Sequence, residues 1–440
     1  MNIKSAINTT KLSEKIFFTG IFLLASTMSI GIFLIIISSI VSLFNKKENP
    51  FKDKWSIFLL VISFSMFASS LYQSFTQANK DLIGWDISLT WIGLLNWIPF
   101  FYLFISIKDF VKTNNQRFKV AIFLLSGSIP VLITGFGQYF FNWHGPIKFL
   151  NGLIIWYLKP IEPHLGLSGL FSNQNYAGTW MSIIWPLSLG LYFINKDKLN
   201  KKFIFLVFLL LLTFAIILTT SRNALIGILV SIPIIMGFKS FFVLFTLTLI
   251  IFLIFYFQSS NSFFEIIINF ISNIFPTQFF DKFDKANFIN IFEYRRINLW
   301  KDSINLILTR PLFGLGAASF PILYDLHYKT NSYTEQHTHN LFLEISAGYG
   351  FISSSMIFFF IVSIIFYAFR ELSLSNLKNQ DSLVNKAWVA STIVILLSQM
   401  NDITYYDGRI SVIFWILLCG SKNIFDSDSA EKSSRDQFKN

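Results

Sequence analysis

Long apolar runs separated by short polar segments dominate this sequence and restrict its fold more than any other feature. Hydrophobic residues make up 53% of the 440 residues and charged residues only 13%, whereas a soluble domain carries roughly a quarter charged residues. A run of about 20 apolar residues can cross a bilayer as a helix, in which backbone polar groups pair within the segment. The sequence therefore predicts an all-α, polytopic membrane helical bundle.

The number of spans depends on the first apolar run, at 16–44. We predict about 12 transmembrane helices if this run is a hairpin that turns near Ser26–Ser29, and about 11 if it is one long tilted helix. The hairpin is preferred because it brings the N-terminal lysines to the same side as the other lysine-rich loops. The remaining predicted spans are 55–75, 87–107, 118–137, 177–194, 203–219, 223–238, 240–257, 341–369, 387–401 and 409–420.

The distribution of lysine and arginine predicts the orientation of these spans. Basic residues cluster in loops near 46–54, 108–119, 196–202 and 370–386, which all fall on one side and are therefore predicted to be cytoplasmic. The same rule accounts for the net charge of +11, so we expect no nucleic-acid partner. The segments predicted to face the opposite side are 138–176, 220–222, 258–340 and 402–408.

The predicted organisation is one transmembrane domain at 1–420, a large extracytoplasmic loop inserted at 258–340, and a disordered cytoplasmic tail at 421–440. The loop is the one long segment too polar for a membrane, so most of any chemistry is expected there. Within it we predict a surface helix at 262–275, a second helix within 295–316 that stops at Pro311, and a mobile, Tyr-rich segment at 317–336.

Cysteine and histidine usage gives no indication of a metal centre. Cys419, within the last apolar run, is the only cysteine, so no disulfide or cysteine-based metal site can form within one chain. The five histidines lack zinc spacing with carboxylates on a helix. We therefore predict no metal and no cofactor.

Three arginines are candidates for binding an anion. Arg222 lies between two apolar spans, where a charge is expensive unless it faces a cavity or a charged partner. The simpler alternative is a side chain that snorkels to the interface. A guanidinium binds phosphate through a bidentate fork and stays charged. Arg295 and Arg296 begin the second loop helix, so one of them is expected to face a site, unless both belong to a solvated helix end.

Polar residues at the start of two spans are further candidates. His337 and His339, in HTHN, would share one face of an extended segment. Histidine is the natural proton acceptor near neutral pH, although a loop histidine is more often inert. Asn173 and Asn175, in GLFSNQNYAGTW, either cap a helix, with Asn175 as the candidate, or bind a sugar or pyrophosphate.

Four segments, in chain order, resemble motifs of the O-antigen ligase/polymerase superfamily of bacterial membrane glycan proteins. The first is GLFSNQNYAG, similar to G-x-F-x-N-P-N with Gln174 in the place of proline. The second is TTSRNALIG, similar to T-x-S-R-[GN]-[AS]. The third is RINLWKDSINLILTRPLFGLG, similar to R-x-x-x-W…P-[LW]-x-G-x-G, which makes Arg296 the motif arginine rather than Arg295. The fourth is HTHNLFLEISAGYG, similar to H-N-x-x-[LF], with His339 as the motif histidine and Gly350 at the family's spacing.

The resemblance implies a metal-independent membrane glycosyltransferase of the bacterial inner (plasma) membrane, with its large loop in the periplasm. It implies a polyprenyl-pyrophosphate-linked glycan donor and a lipid A-core or other glycan acceptor, in contact with membrane lipids. Arg222 and Arg296 would hold the pyrophosphate and stabilise the leaving group's charge, which fixed cations in a water-poor site do well. His339 would orient or deprotonate the acceptor hydroxyl. The predicted substrate-binding residues are Arg222, Arg296, Arg295, His337, Asn173 and Asn175.

Alternatives remain at this point. A repeat-unit polymerase is the close rival of a ligase within the superfamily, and the complete arginine–histidine set favours the ligase. A solute permease, of the bicarbonate type, would need a continuous polar path through the bundle, which the hydropathy does not indicate. Ion-coupled transporters usually carry carboxylates within the membrane, whereas this chain concentrates charge at one surface. A structural membrane scaffold is the third possibility.

Overall fold

The computed structural model describes residues 3–45, 53–76, 79, 82–161, 165–195, 198–243, 245–246, 249, 295–328, 335–374 and 380–437. Helices make up most of these ranges. The first seven are α1 (Ile3–Leu23), α2 (Met28–Asn45), α3 (Lys54–Thr76), α4 (Ser88–Gly93), α5 (Ile98–Ser106), α6 (Asn114–Gly127) and α7 (Ile129–Phe141). A small antiparallel hairpin follows, formed by β1 (Ile147–Phe149) and β2 (Ile154–Trp156). The remaining helices are α8 (Gln174–Ile194), α9 (Leu199–Leu218), α10 (Arg222–Met236), α11 (Arg295–Leu308), α12 (Phe320–Tyr328), α13 (Leu341–Leu374), α14 (Gln380–Asn401) and α15 (Gly408–Gln437).

The all-α membrane architecture predicted from the apolar runs is confirmed. Within the described ranges, eight helical segments are long and apolar enough to cross a bilayer, and Met28–Phe44 and Arg222–Met236 are shorter apolar helices. The predicted span at 240–257 lies largely outside the described residues, so the count of about 12 stays a prediction. The first run is split into α1 and α2 by a turn at 24–27, as the hairpin alternative predicts.

Two helices occupy the centre of the bundle and both lead to the same end of it. In the apolar window of Gly408–Asp426, 89% of the residues are buried, and in Gln174–Ile194 the share is 83%. The corresponding share for Leu199–Leu218 is only 22%, so α9 presents most of its apolar surface outwards, as a lipid-facing helix does. The central helices are therefore fixed by packing on most sides, and the residues at their N-terminal ends have well-defined positions.

The last helix, α15, continues past residue 420, although the sequence predicts a disordered tail from residue 421. Lys422 is 1% exposed and its ammonium pairs with Asp53 and, at 2.8 Å, with Asp426. A buried lysine is stable only when it is paired, so these carboxylates account for a charge inside the bundle. Polar composition therefore did not mark the end of the packed region, because partners distant in sequence satisfy the polar groups.

The part of the large loop that is described forms a small core of its own. Helix α11 ends before Pro311, as predicted, and α12 lies inside the segment that was expected to be mobile. Phe320 and Tyr324, one turn apart on α12, are buried together with Leu299 and Leu306 of α11. The helix forms because this apolar stripe has a partner surface. The predicted helix at 262–275 lies outside the described residues.

The glycines of the third and fourth motifs pack against each other. Gly350 has φ +85° and interrupts the helical geometry of α13. A Cβ on Gly350 would lie 2.0 Å from the carbonyl oxygen of Leu312, and one on Gly314 (φ +71°) would lie 2.7 Å from the backbone nitrogen of Gly350. The backbone amide of Phe351 donates to the carbonyl of Pro311 at 2.8 Å. Glycine is required at both positions because the two backbones touch, and this contact anchors α11 beside the start of α13.

Candidate functional site

The candidate site is built around the carboxylate of Asp402, in the connection between α14 and α15. Asp402 is 9% exposed. One oxygen lies 2.8 Å from Nδ1 of His339. The other accepts a hydrogen bond from Nδ2 of Asn175 at 2.7 Å and lies 3.9 Å from a terminal nitrogen of Arg296. Three of the predicted site residues, from three different segments, therefore meet on one buried carboxylate.

These contacts determine which nitrogen of His339 is basic. Burial alone would raise the pKa of the Asp402 carboxyl, but the hydrogen bond with His339 and the positive charge of Arg296 lower it below its usual range. Asp402 is therefore ionised near neutral pH and can only accept hydrogen bonds, so Nδ1 of His339 carries a proton. In the neutral form of the ring, Nε2 is the nitrogen that carries the lone pair, and the carboxyl of Glu335 lies 3.6 Å from it. The arrangement resembles the orienting pair of an acid–base triad.

The backbone at His339 is strained, which is typical of residues fixed for function. Its φ is +52°, in the left-handed region that a residue with a Cβ rarely adopts. The conformation is held from both sides. Thr338 donates through its backbone amide to Glu344 at 3.1 Å. Asn340 caps α13 by accepting from the amide of Phe342 at 3.0 Å, while its own Nδ2 donates to the carbonyl of Met400 at 3.0 Å. The last contact holds the histidine loop against the end of α14.

Asn173 and Asn175 have different roles, one as a helix cap and the other as a partner of Asp402. Asn173, not Asn175, is the N-cap of α8, because its side chain accepts from the backbone amide of Asn175 at 2.7 Å. The prediction of Asn175 as the cap is wrong by this geometry, since Asn175 lies within the first turn. Its side chain is thereby free of the capping role and binds Asp402 instead. Asn173 is exposed at the same helix end.

Arg222 begins α10 at the same end of the bundle. The next residue, Asn223, donates from Nδ2 to the carbonyl of Ser398 at 2.9 Å, and the amide of Asp402 donates to that same carbonyl at 3.1 Å. The first turn of α10 therefore lies against the last turn of α14, directly before Asp402. The Arg222 side chain itself is exposed, at the positive end of a helix dipole, and both features favour an anion nearby.

The two loop arginines can be partly distinguished. Arg296 is half-buried, with 27% of its side chain exposed, and lies beside Asp402. Arg295 is the first residue of α11, but the structure does not describe its side chain. The assignment of Arg296 as the inward arginine agrees with its contact to Asp402, whereas its role in binding remains a prediction.

His337 belongs to a second, acidic cluster next to the first. Its Nδ1 lies 3.3 Å from the carboxylate of Glu344, and its ring stacks on Tyr406 with centroids 5.1 Å apart. The Tyr406 hydroxyl also donates to Glu344, at 3.3 Å. Burial opposes the charged form of His337, but the hydrogen bond with Glu344 and its negative charge raise the pKa of His337 above its usual value. This cluster is rich in hydrogen-bonding groups, and none of its described members is an arginine or a lysine.

Two carboxylates, Asp402 and Glu344, have roles that sequence reasoning missed. Asp402 and Asp407 both flank the short connection before α15, and the sequence alone does not distinguish them. In the structure Asp407 forms a bidentate pair with the buried Arg409, at 2.9 and 2.7 Å, which neutralises it. Asp402 instead contacts Nδ1 of His339. Among the described residues, no group of three or more histidine, cysteine or acidic side chains could hold a metal ion.

The geometry places an oriented base at the end of the bundle that also contains Arg296 and the first turn of α10. Nε2 of His339 can accept a proton, Asp402 can stabilise the imidazolium that results, and Arg296 and the helix end at Arg222 can stabilise negative charge. Such an arrangement suits the attack of a hydroxyl on a centre whose leaving group is anionic.

Comparison with known families agrees with this chemistry. Residues 206–358 match the family model described as O-antigen ligase. The matched region contains Arg222, Arg296 and His339, whereas Asn175 and Asp402 lie outside it. Comparison with curated proteins found no match.

Proposed function

We propose that the chain is a ligase-type glycosyltransferase of the O-antigen ligase/polymerase superfamily, because residues 206–358 match the O-antigen ligase family model. In this proposal it transfers a polyprenyl-pyrophosphate-linked oligo- or polysaccharide to a lipid A-core or other glycan acceptor. The reaction takes place at the periplasmic face of the bacterial inner membrane, without a metal ion.

The observation that carries the proposal is the meeting of His339 and Arg296 on the buried carboxylate of Asp402. A permease or a scaffold has no need for a histidine in a strained backbone conformation with one oriented nitrogen. The donor's pyrophosphate needs cations, and Arg296 and Arg222 supply them without a divalent metal.

The proposed reaction is a single displacement. Nε2 of His339 takes the proton of an acceptor hydroxyl while its oxygen attacks the anomeric carbon of the donor sugar. The bond from that carbon to the pyrophosphate oxygen breaks, and its electron pair stays on the phosphate, next to Arg222 and Arg296. Asp402 stabilises the imidazolium until its proton is released. The products are the glycosylated acceptor and polyprenyl pyrophosphate, with inversion at the anomeric carbon.

A repeat-unit polymerase is the second candidate, because it would use the same donor chemistry with a glycan chain as acceptor. The family match supports a ligase or a polymerase alike, and the complete arginine–histidine set is what favours the ligase. Neither the family match nor the site chemistry supports a solute permease.

Deletion of the gene in its host, followed by gel analysis of surface glycans and lipid-linked intermediates, tests the proposed function. We expect bare acceptor together with long polymer that accumulates on the polyprenyl carrier. Acceptor capped with a single repeat would instead indicate the polymerase. An unchanged glycan profile would contradict both.

We predict that Asp402→Asn reduces the rate of transfer by about 10²–10⁴-fold, because an amide can donate to Nδ1 and so favour the wrong tautomer of His339. Asp402 acts through His339, so it is a positioning residue. The measurement is kcat with purified protein in proteoliposomes, alongside the melting temperature of each variant.

Asp402→Glu restores the carboxylate and should recover part of the rate, which a purely structural role would not predict. Asp381→Asn changes an exposed aspartate at the opposite end of the same helix, α14, and serves as the matched control. Wild-type turnover in Asp402→Asn would exclude the positioning role.

A further inference from the structure

A cavity of about 380 Å³ lies beside the cluster formed by His337, Glu344 and Tyr406. The proposed reaction assigns no role to this cavity. It is bounded by the end of α4, by the Gly316–Pro321 segment that leads into α12, and by the first turns of α13. His337, Glu344 and Tyr406 form its wall nearest to the catalytic histidine. Ligand pockets span about 300–1,000 Å³, so this cavity suits a small group such as one sugar ring rather than a long chain.

The cavity contains a buried polar group without a partner. Tyr349 is 3% exposed, and its hydroxyl forms no hydrogen bond with any residue that the structure describes. That hydroxyl points to the cavity wall at Gly93, where an added Cβ would lie 2.6 Å from it. An unsatisfied buried hydroxyl destabilises the free protein, so its retention in the wall indicates a partner that arrives from outside. The exposed side-chain amides of Asn96 and Gln336 also line the cavity and offer both donors and acceptors.

The charges around the site separate two kinds of ligand. Arg296 and Arg222 lie on the side of Asp402 that the proposed function assigns to pyrophosphate. The cavity side contains the carboxylate of Glu344 and, among its described lining residues, no lysine or arginine. A carboxylate repels a phosphate but accepts hydrogen bonds from neutral hydroxyls. Aromatic and apolar surface from Trp97 and Phe320 completes a lining that fits the mixed faces of a sugar ring.

We propose that this cavity binds the terminal sugar ring of the acceptor glycan, with Glu344, Gln336 and Tyr349 as hydrogen-bonding residues. The inference rests on the proposed function, since it names where that reaction's acceptor is held. Its position follows from the chain, because His337 in the cavity wall is two residues before His339. A ring bound there presents a hydroxyl towards the base while the donor approaches from the arginine side.

Two variants of neighbouring residues test the proposal. Gly348→Leu fills the cavity, because the nearest described atom to a Cβ on Gly348 would be the Cα of Ala317, at 3.8 Å, and both residues line the cavity. Tyr349→Phe removes only the unpartnered hydroxyl. Transfer is measured in proteoliposomes with donor and acceptor lipids extracted from the gene-deleted host. We expect the KM for acceptor to rise at least tenfold in Gly348→Leu and about fivefold in Tyr349→Phe, as for the loss of one hydrogen bond, with the KM for donor unchanged.

Controls and stability separate the outcomes. Val362→Phe adds bulk at a lipid-exposed position of the same helix, and Tyr102→Phe removes an exposed hydroxyl elsewhere. The melting temperature of Tyr349→Phe should equal or exceed that of the wild type, because the free protein loses an unsatisfied group. An unchanged acceptor KM in both cavity variants would overturn the acceptor site while leaving the transferase intact. Absence of transfer by the wild type would overturn the proposed function itself, and a loss of donor affinity would reassign the cavity to the donor.

Discussion

Replacement of His339 by alanine is expected to lower the rate of glycan transfer by about 10²–10⁴-fold, the range typical for loss of a general base. The reason is its single oriented nitrogen. Nδ1 is held by Asp402 at 2.8 Å, so Nε2 is the group available to the acceptor hydroxyl. The folded yield should not fall, because the loop is fixed by Thr338 and Asn340 rather than by the imidazole. Transfer is measured as turnover at saturating donor and acceptor, with the melting temperature beside it.

His327→Ala is the matched control for this experiment. His327 is exposed on α12, and its Nδ1 lies 2.9 Å from the carbonyl oxygen of Leu323 within the same helix. Its replacement should leave turnover within about twofold of the wild-type value, since substitutions of exposed residues that take no part in a core, a cap or a buried network have small effects. Equal losses in the two variants, or loss of folded protein in His339→Ala alone, would contradict the assignment of His339 as the base.

Much of the fold was predictable because membrane helices are encoded locally. Each apolar run satisfies its own backbone hydrogen bonds, so span positions follow from hydropathy without knowledge of the neighbours. The end of α11 before Pro311 is local in the same way. Helix α12 was missed because its stability depends on a distant surface. Its Phe320 and Tyr324 become an apolar stripe only when α11 lies beside them.

The motif residues of the candidate site were predictable from the sequence, but the contacts among its side chains were not. Arg222, Arg296 and His339 stand in segments that resemble family motifs, and the structure brings these segments to one end of the bundle. Asp402 joins Asn175, 227 positions earlier, to His339, 63 positions earlier. No local pattern distinguishes this aspartate from Asp407. The distinction arises only in the folded chain, where Arg409 pairs with one and the histidine with the other.

The prediction of Asn175 as the N-cap of α8 was wrong for a related reason. Asn173 and Asn175 both precede an apolar run. Asparagine is favoured at an N-cap, and this preference does not indicate which of the two residues is the cap. Helix boundaries depend on where the preceding chain turns, so the cap shifts with that turn. Once Asn173 caps α8, Asn175 lies on the first turn with its amide directed at Asp402.

Arg296→Ala is expected to reduce kcat/KM for the donor by about 10²–10³-fold, the loss typical when one fixed donor to a developing anion is removed. Arg296→Lys should recover only part of this loss, because a point charge does not replace a bidentate fork. The measurement is transfer at varied concentrations of donor lipid, with acceptor saturating.

Arg295→Ala is the matched control, one residue earlier on α11. It should cost much less, and the reverse order would mean that the register of the arginine motif is wrong by one residue. Loss of Arg296 could act on the His339–Asp402 pair or on the binding of pyrophosphate, and the two effects can be distinguished. Arg296 helps to lower the pKa of the Asp402 carboxyl, but the hydrogen bonds from His339 and Asn175 also lower it and remain in the variant. Asp402 should therefore stay ionised at neutral pH in Arg296→Ala, so that the loss appears against donor concentration, whereas His339→Ala lowers turnover at every donor concentration.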